Sequence, residues 1–303
     1  MKSKFIRQVV FPLLAAMIWG SAFVFQSVST EFIEPFTFNA ARSSVAAVFL
    51  FGLATVLRKL KGKEMEAVAP QDKKAYRKDL WTGGIWCGVF LTIACNLQQL
   101  GIEFTSTGKA GFITALYIVV VPMAGIFFHK KVGLSIWVSV ALAVAGLYFL
   151  CVTESFSIGA GDFYVFLCAI FFAGQILLVD HYVQKVDGVE LSCVQFVVVT
   201  VLSGICMLIF ENPDWAAIKV CIGPILYVGI LSSGVAYTLQ ILAQKDANPT
   251  VVSILMSMES VFATLSGAIF LQEVLSGREY LGCALMLVAV LLAQIPMPEK
   301  KTA

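Results

Sequence analysis

Residues Gln8–Thr30 read QVVFPLLAAMIWGSAFVFQSVST, without one Asp, Glu, Lys or Arg. A helix crossing the roughly 30 Å hydrocarbon core of a bilayer needs roughly 20 apolar residues, and this stretch is long enough. Lys2, Lys4 and Arg7 stand before it, so the opening has the basic start and apolar run of a secretory signal. The run is longer than a signal core of roughly 7 to 15 residues and no A-x-A site follows it, so it is expected to stay as a first transmembrane helix.

The pattern recurs along the chain. Leu80–Ile102, Ala110–His129, Val132–Thr153, Leu191–Phe210, Val220–Gln244 and Tyr280–Pro298 also lack charged residues. Pro35–Leu57 is interrupted only by Arg42, Ala247–Gln272 only by Glu259, and Phe163–Val179 ends against Asp180 and His181. Of 303 residues, 59% are hydrophobic and 13% charged, where a soluble protein averages roughly 45–50% and 25%. With a mean hydropathy of +0.88 there is too little polar surface to face water. Spanning barrel strands are roughly 9 to 11 residues long, so these runs are helices. The expected fold is an all-α membrane protein of ten transmembrane helices, with the lipid bilayer as its surroundings. A net charge of +2 without a concentrated basic face argues against nucleic acid as a partner.

Basic residues orient the chain. The segments on the side of the N-terminus carry 17 Lys and Arg, and those on the opposite side only Lys109, Lys219 and Arg278. Basic residues collect in cytoplasmic loops, so both termini are expected in the cytoplasm, with Arg58–Asp79 as a solvated cytoplasmic connector. The eight Cys lie in or beside spans and none forms a C-x-x-C pair. That pattern suggests no disulfide framework and no zinc site, and neither a metal nor a cofactor is expected.

The two halves resemble each other. A shift of 142 positions sets Gln98 on Gln240, Gly125 on Gly267, Phe128 on Phe270 and Leu150 on Leu292. Earlier in the chain, a shift of 153 sets Trp19-Gly20 on Phe172-Ala173 and Arg42 on Gln195. Five helices followed by five more make the second half enter the membrane from the opposite side, giving two inverted five-helix repeats. The expected boundaries are 1–153 and 154–303.

In its motifs the chain resembles the EamA-like branch of the drug/metabolite transporter superfamily. The residues that carry the resemblance are Trp19-Gly20, Arg42, GKAGFITALYIVVVPMAG at Gly108–Gly125, Gly161-Asp162, and MESVFATLSGAIFLQE at Met258–Glu273. Ser260 stands where that family usually has Pro after the glutamate, and Lys131 stands at the first-half position matching Glu273. The resemblance implies secondary transport in the bacterial inner membrane, commonly export of amino acids, other metabolites or toxic compounds. It names no substrate.

Glu259 lies eleven residues into its span, roughly 16 Å deep and close to the midplane. A carboxylate there is costly unless paired, hydrated or protonated. It is a site for proton coupling or a substrate amine, or else a hydrogen-bonded carboxyl that ties helices together. Arg42 is a charge-pairing candidate, within reach of the interface by snorkelling. Polar and aromatic residues at helical spacing mark faces turned from lipid: Trp19, Phe23, Gln26 and Thr30; Thr92, Asn96 and Gln99; Ala110, Thr114 and Tyr117; Ser233, Tyr237, Gln240 and Gln244. A shared cavity explains all four stripes; hydrogen bonding between helices is the alternative for any one residue. The expected substrate-contacting residues are Trp19, Phe23, Gln26, Asn96, Gln99, Tyr117, Gln175, Tyr237 and Gln240, with Glu259 and Arg42 for coupling or charge pairing. Amides, hydroxyls and rings with one or two charges suit a small neutral or zwitterionic molecule, such as an amino acid. A polyanionic cargo needs several inward cations.

Gly159-Ala160-Gly161-Asp162 has the G-x-G-D pattern of intramembrane aspartyl proteases, but Asp180 is 18 residues further along the same helix. At roughly 27 Å the two carboxyls cannot share a proton, and Asp162 reads as a helix N-cap. No H-E-x-x-H, G-x-S-x-G or P-loop motif occurs, and no enzyme is expected. A multidrug exporter of the same fold, a channel and a non-transporting scaffold are the other readings.

Overall fold

The computed structural model describes residues 5–67, 73–105, 107–127, 133–151, 159–245, 247–270 and 275–294. Lys131, Glu273, His129 and the boundary at 153/154 lie outside the described residues. Within them the secondary structure is helical. The ten principal helices are α1 (Ile6–Thr30), α2 (Pro35–Ala67), α3 (Lys73–Phe104), α4 (Thr107–Ala115 and Tyr117–Phe127), α5 (Leu134–Cys151), α6 (Ala160–Tyr182), α7 (Gly188–Phe210), α8 (Ile222–Gln244), α9 (Pro249–Met256 and Glu259–Phe270) and α10 (Gly277–Ala293). Trp215–Val220 forms a short helix before α8.

Local chemistry sets several starts. Asn248 caps α9, accepting from the Thr250 N–H ahead of Pro249 at the first helical position, where a missing N–H costs nothing. Asp187 caps α7 by accepting from the N–H groups of Val189 and Glu190. Ser276 and Glu279 satisfy each other's backbone at the start of α10. The expected Arg58–Asp79 connector is largely helix instead: α2 runs on through Ala67 and α3 begins at Lys73. Apart from Gly62, the extension Arg58–Ala67 consists of Leu, Arg, Lys, Glu, Met and Ala, all strong helix formers. Asp162 is not the N-cap of α6. Gly159 holds that place, and Asp162, three residues on, accepts from the Gly159 N–H at 2.8 Å and the Thr105 hydroxyl at 2.6 Å.

Seven of these helices are at least 18 residues long and apolar enough to cross a membrane, and the apolar parts of α4 and α5, Ala110–Ile126 and Leu134–Leu150, are shorter. Large apolar side chains such as Val48, Phe51, Leu208 and Ile269 face outward, while Asn39, Gln175, Gln195 and Gln244 are buried. This inverts the distribution of a soluble protein. The molecule is an all-α, multi-pass membrane protein.

Packing follows the repeat. α2 lies against α7 and α5 against α10, which are corresponding helices of the two halves. The α3–α6 contact is matched by α8–α1, and α4–α6 by α9–α1. Corresponding helices run antiparallel. Glu211, after the end of α7, accepts from the N–H groups of Phe36 and Thr37 at the start of α2, at 2.7 and 2.6 Å. At the other end Arg58 of α2 pairs at 2.6 Å with Glu190 at the start of α7. Ser135 of α5 likewise donates to the Leu292 carbonyl of α10. The halves are thus inverted about a twofold-like axis between these pairs. Glycine permits the closest approach: a Cβ on Gly282 would lie 2.8 Å from the Gly146 carbonyl oxygen.

Candidate functional site

Seven helices line a partly open cavity of about 50 Å³. α1 contributes Trp19, Phe23 and Gln26, α2 Arg42, and α3 Gln98. α4 adds Thr114 and Tyr117, α6 Phe172, Gln175 and Ile176, α8 Ser232, Tyr237 and Gln240, and α9 Met256 and Glu259.

The cavity straddles the twofold-like axis. Under the shift of 153, Trp19 corresponds to Phe172 and Phe23 to Ile176; under 142, Gln98 corresponds to Gln240, Thr114 to Met256 and Tyr117 to Glu259. Both members of each pair line the cavity. Corresponding residues also touch, as groups do only near an axis: the Tyr117 hydroxyl donates to Glu259 Oε1 at 3.4 Å, and Cys95 Sγ meets Tyr237 Oη at 3.8 Å.

Helix irregularities shape the walls. α4 breaks at Leu116 and α9 at Ser257–Met258, positions again 142 apart. At both the backbone tightens to three-residue hydrogen bonds, Leu116 to Ile113 at 3.1 Å and Met258 to Leu255 at 3.3 Å. Ser253 and Ser257 bond back to the carbonyls of Thr250 and Ile254 just before the second break, which loosens a helix. Glu259 is the first residue of its segment, where the helix dipole favours a negative charge. Residues Val228–Ala236 of α8 form a π-helix, and its wide turns bring Ser232, not Ser233, onto the cavity face.

Polar contacts differ between the two halves. Gln240 donates to Gln175 Oε1 at 3.0 Å and Gln244 Oε1 at 3.1 Å, Gln175 donates to Gln195 Oε1 at 3.0 Å, and Gln244 donates to the Ile176 carbonyl at 2.8 Å. This amide chain belongs wholly to the second half. In the first half Gln98 donates to the Thr114 hydroxyl at 3.2 Å. Arg42 Nε donates to Asn39 Oδ1 at 2.7 Å and its Nη1 to Gln26 Oε1 at 3.3 Å, with the guanidinium 5.6 Å from the Phe38 ring centre. Trp19 packs edge-on to Tyr237 at 4.8 Å, and its indole N–H is buried with no hydrogen-bond partner among the described residues.

Of the residues singled out from the sequence, Trp19, Phe23, Gln26, Tyr117, Gln175, Tyr237, Gln240, Arg42 and Glu259 meet at this cavity. Asn96 and Gln99 do not. Asn96 turns to α2 and α7, accepting from Asn39 at 2.9 Å and donating to Ser203 at 3.0 Å. Gln99 is buried, with its Oε1 unbonded among the described residues. The cavity face of α3 carries Gln98 and not the Thr92–Asn96–Gln99 stripe: Asn96 bonds to α2 and α7, and the Thr92 hydroxyl donates back to the Gly88 carbonyl of its own helix at 2.7 Å. Gln98, Thr114, Phe172, Ile176, Ser232 and Met256 also line the cavity. The repeat correspondence carried the signal for Gln98 and Phe172; Met256, Ile176 and Ser232 had none in the polarity pattern. Among the described residues no group of three or more His, Cys, Asp and Glu is placed to hold a metal ion.

The EamA-like transporter family matches this sequence twice, over residues 7–152 and 159–294. The chain belongs to the EamA-like transporter family. Two relatives of this family member span nearly its whole length. An uncharacterized transporter of Archaeoglobus fulgidus is 29% identical over 93% of the chain and 84% of the relative. The uncharacterized transporter YwfM of Bacillus subtilis (strain 168) is 24% identical over 97% of the chain and 96% of the relative. A solved structure, described as the crystal structure of a protein, superposes with a TM-score of 0.75 at 16% identity, covering 95% of this chain and 96% of that one. At that identity the likeness shows the fold alone. The protein is a membrane transporter.

Proposed function

We propose that this transporter exports a small neutral or zwitterionic metabolite of amino-acid character. The cavity is exposed alternately to the two sides of the cell membrane, and the proton gradient drives the cycle through Glu259. Both termini face the cytoplasm, on the side that gathers the basic residues. The observation that carries the reading is the cavity lining: amides, hydroxyls and aromatic rings surround one carboxylate and one guanidinium. Glu259, the carboxylate of the cavity, stands at the break in α9, which supports a group that takes up and releases a proton as the helices move. The small cavity favours a metabolite over a bulky drug, since drug-sized ligands occupy pockets of roughly 300–1,000 Å³.

The test is release from proteoliposomes loaded with a mixed pool of amino acids and related metabolites under an imposed pH gradient, followed by mass spectrometry. Selective loss of one compound class relative to empty liposomes is expected. No loss from folded, inserted protein would count against transport of this class and raise the weight of a scaffold; non-saturable loss of many compounds would indicate a channel.

A further inference from the structure

We infer that Arg42 is the seat for a carboxylate group of the cargo; this rests on the transport reading above and names the chemistry that its cavity selects. A buried guanidinium is costly unless an anion or a full set of acceptors compensates it. Arg42 is 4% exposed and lines the cavity. Of its five N–H donors, two reach neutral amide oxygens, on Asn39 and Gln26, and the neutral Cys95 thiol lies beside the guanidinium. No described carboxylate lies within ion-pairing reach of it.

The repeat shows that the fold does not require a charge there. The corresponding residue of the second half is Gln195, fully buried and held by the neutral amide of Gln175. A neutral side chain thus performs the structural task at far smaller desolvation cost, and the guanidinium in the first half has another use. The acid in the cavity is not its partner: Glu259 comes from the opposite half and is bonded by Tyr117. The cation of one half and the carboxylate of the other face a shared space without pairing. A ligand between them meets a fork for a carboxylate on the first half and a proton or amine acceptor on the second. The indole N–H of Trp19, without a partner among the described residues and in the wall of the same cavity, is a further donor for an anion.

The experiment measures binding to the full-length protein in nanodiscs by thermal shift and calorimetry. The probes are the common α-amino acids and short aliphatic monocarboxylates, each compared with its primary amide. The structure predicts at least one acid that binds at least tenfold more tightly than its amide. Arg42→Gln should bring that ratio below threefold with the amide's affinity unchanged, and Arg42→Lys, which keeps the charge but loses the fork, should fall between. Equal binding of acid and amide to the wild type, no acid binding at all, or an unchanged ratio in a folded Arg42→Gln or Arg42→Lys protein would overturn the seat. The wild-type comparison stands even if a variant does not fold. Arg42-independent export of an uncharged compound would overturn the seat and leave the transport reading intact, whereas selective acid binding without flux would do the reverse.

Discussion

Two neighbours on α3 show how a single residue's surroundings decide its worth. Asn96 joins α3 to Asn39 and Ser203, so Asn96→Leu takes a hydrogen bond from each of two buried partners and should cost about 1–3 kcal/mol. Gln99 holds a buried oxygen with no partner among the described residues. Gln99→Leu should therefore be neutral or stabilising by about 1 kcal/mol, and the unfolding midpoints of the two variants in detergent should move apart. Glu259 and Arg42 were legible in the sequence as lone charges in apolar runs. Gln98 was not legible from the polar stripe, since Asn96 and Gln99 mark one face of α3 more strongly. A helix whose polar residues bond to several neighbours gives no single polar face, and only the correspondence of Gln98 with Gln240 pointed inward.

At the scale of the helix, the glycines fall into two physical groups. Gly146 and Gly282 let α5 and α10 touch at backbone distance, so Gly282→Ala overpacks that contact and should destabilise by about 1–3 kcal/mol. Gly52 in α2 and Gly204 in α7 have open space where a Cβ would stand. Gly52→Ala and Gly204→Ala should each stabilise by about 0.5–1 kcal/mol, the gain in helix propensity. Thermal unfolding of the three variants checks the contrast. The spans were legible from length and the absence of charge. The π-helix of α8 was not, because Val228–Ala236 is as apolar as a regular helix and its wide turns leave no mark on composition. The breaks at Leu116 and Ser257–Met258 were hidden for the same reason, yet they place Tyr117 and Glu259 at the axis.

The whole molecule is a pair of inverted halves that differ in chemistry where they meet. The proposed orientation has both termini in the cytoplasm, so Ser3→Cys and Thr302→Cys should both resist a membrane-impermeant thiol reagent in intact cells and react after permeabilisation. Reaction of either one from outside would reverse the orientation read from the basic residues. The repeat was legible in residue matches such as Gln98 with Gln240 and in the coinciding span pattern, and its inversion followed from five spans per half being an odd number. What the correspondence of residues alone did not reveal is which pairs touch, since contact across the axis depends on how the halves dock.

Glu259 is the residue proposed to couple movement of the cargo to protons. Glu259→Gln keeps the side-chain shape and an oxygen for the Tyr117 hydroxyl to donate to, while the amide that replaces the carboxyl is neutral and cannot bind and release a proton. The deciding measurement compares wild type and Glu259→Gln in proteoliposomes, for one cargo, by uphill movement under a pH gradient and by counterflow without one. The account predicts that the variant loses gradient-driven accumulation and keeps counterflow. Accumulation in Glu259→Gln with the same dependence on pH as the wild type would contradict it.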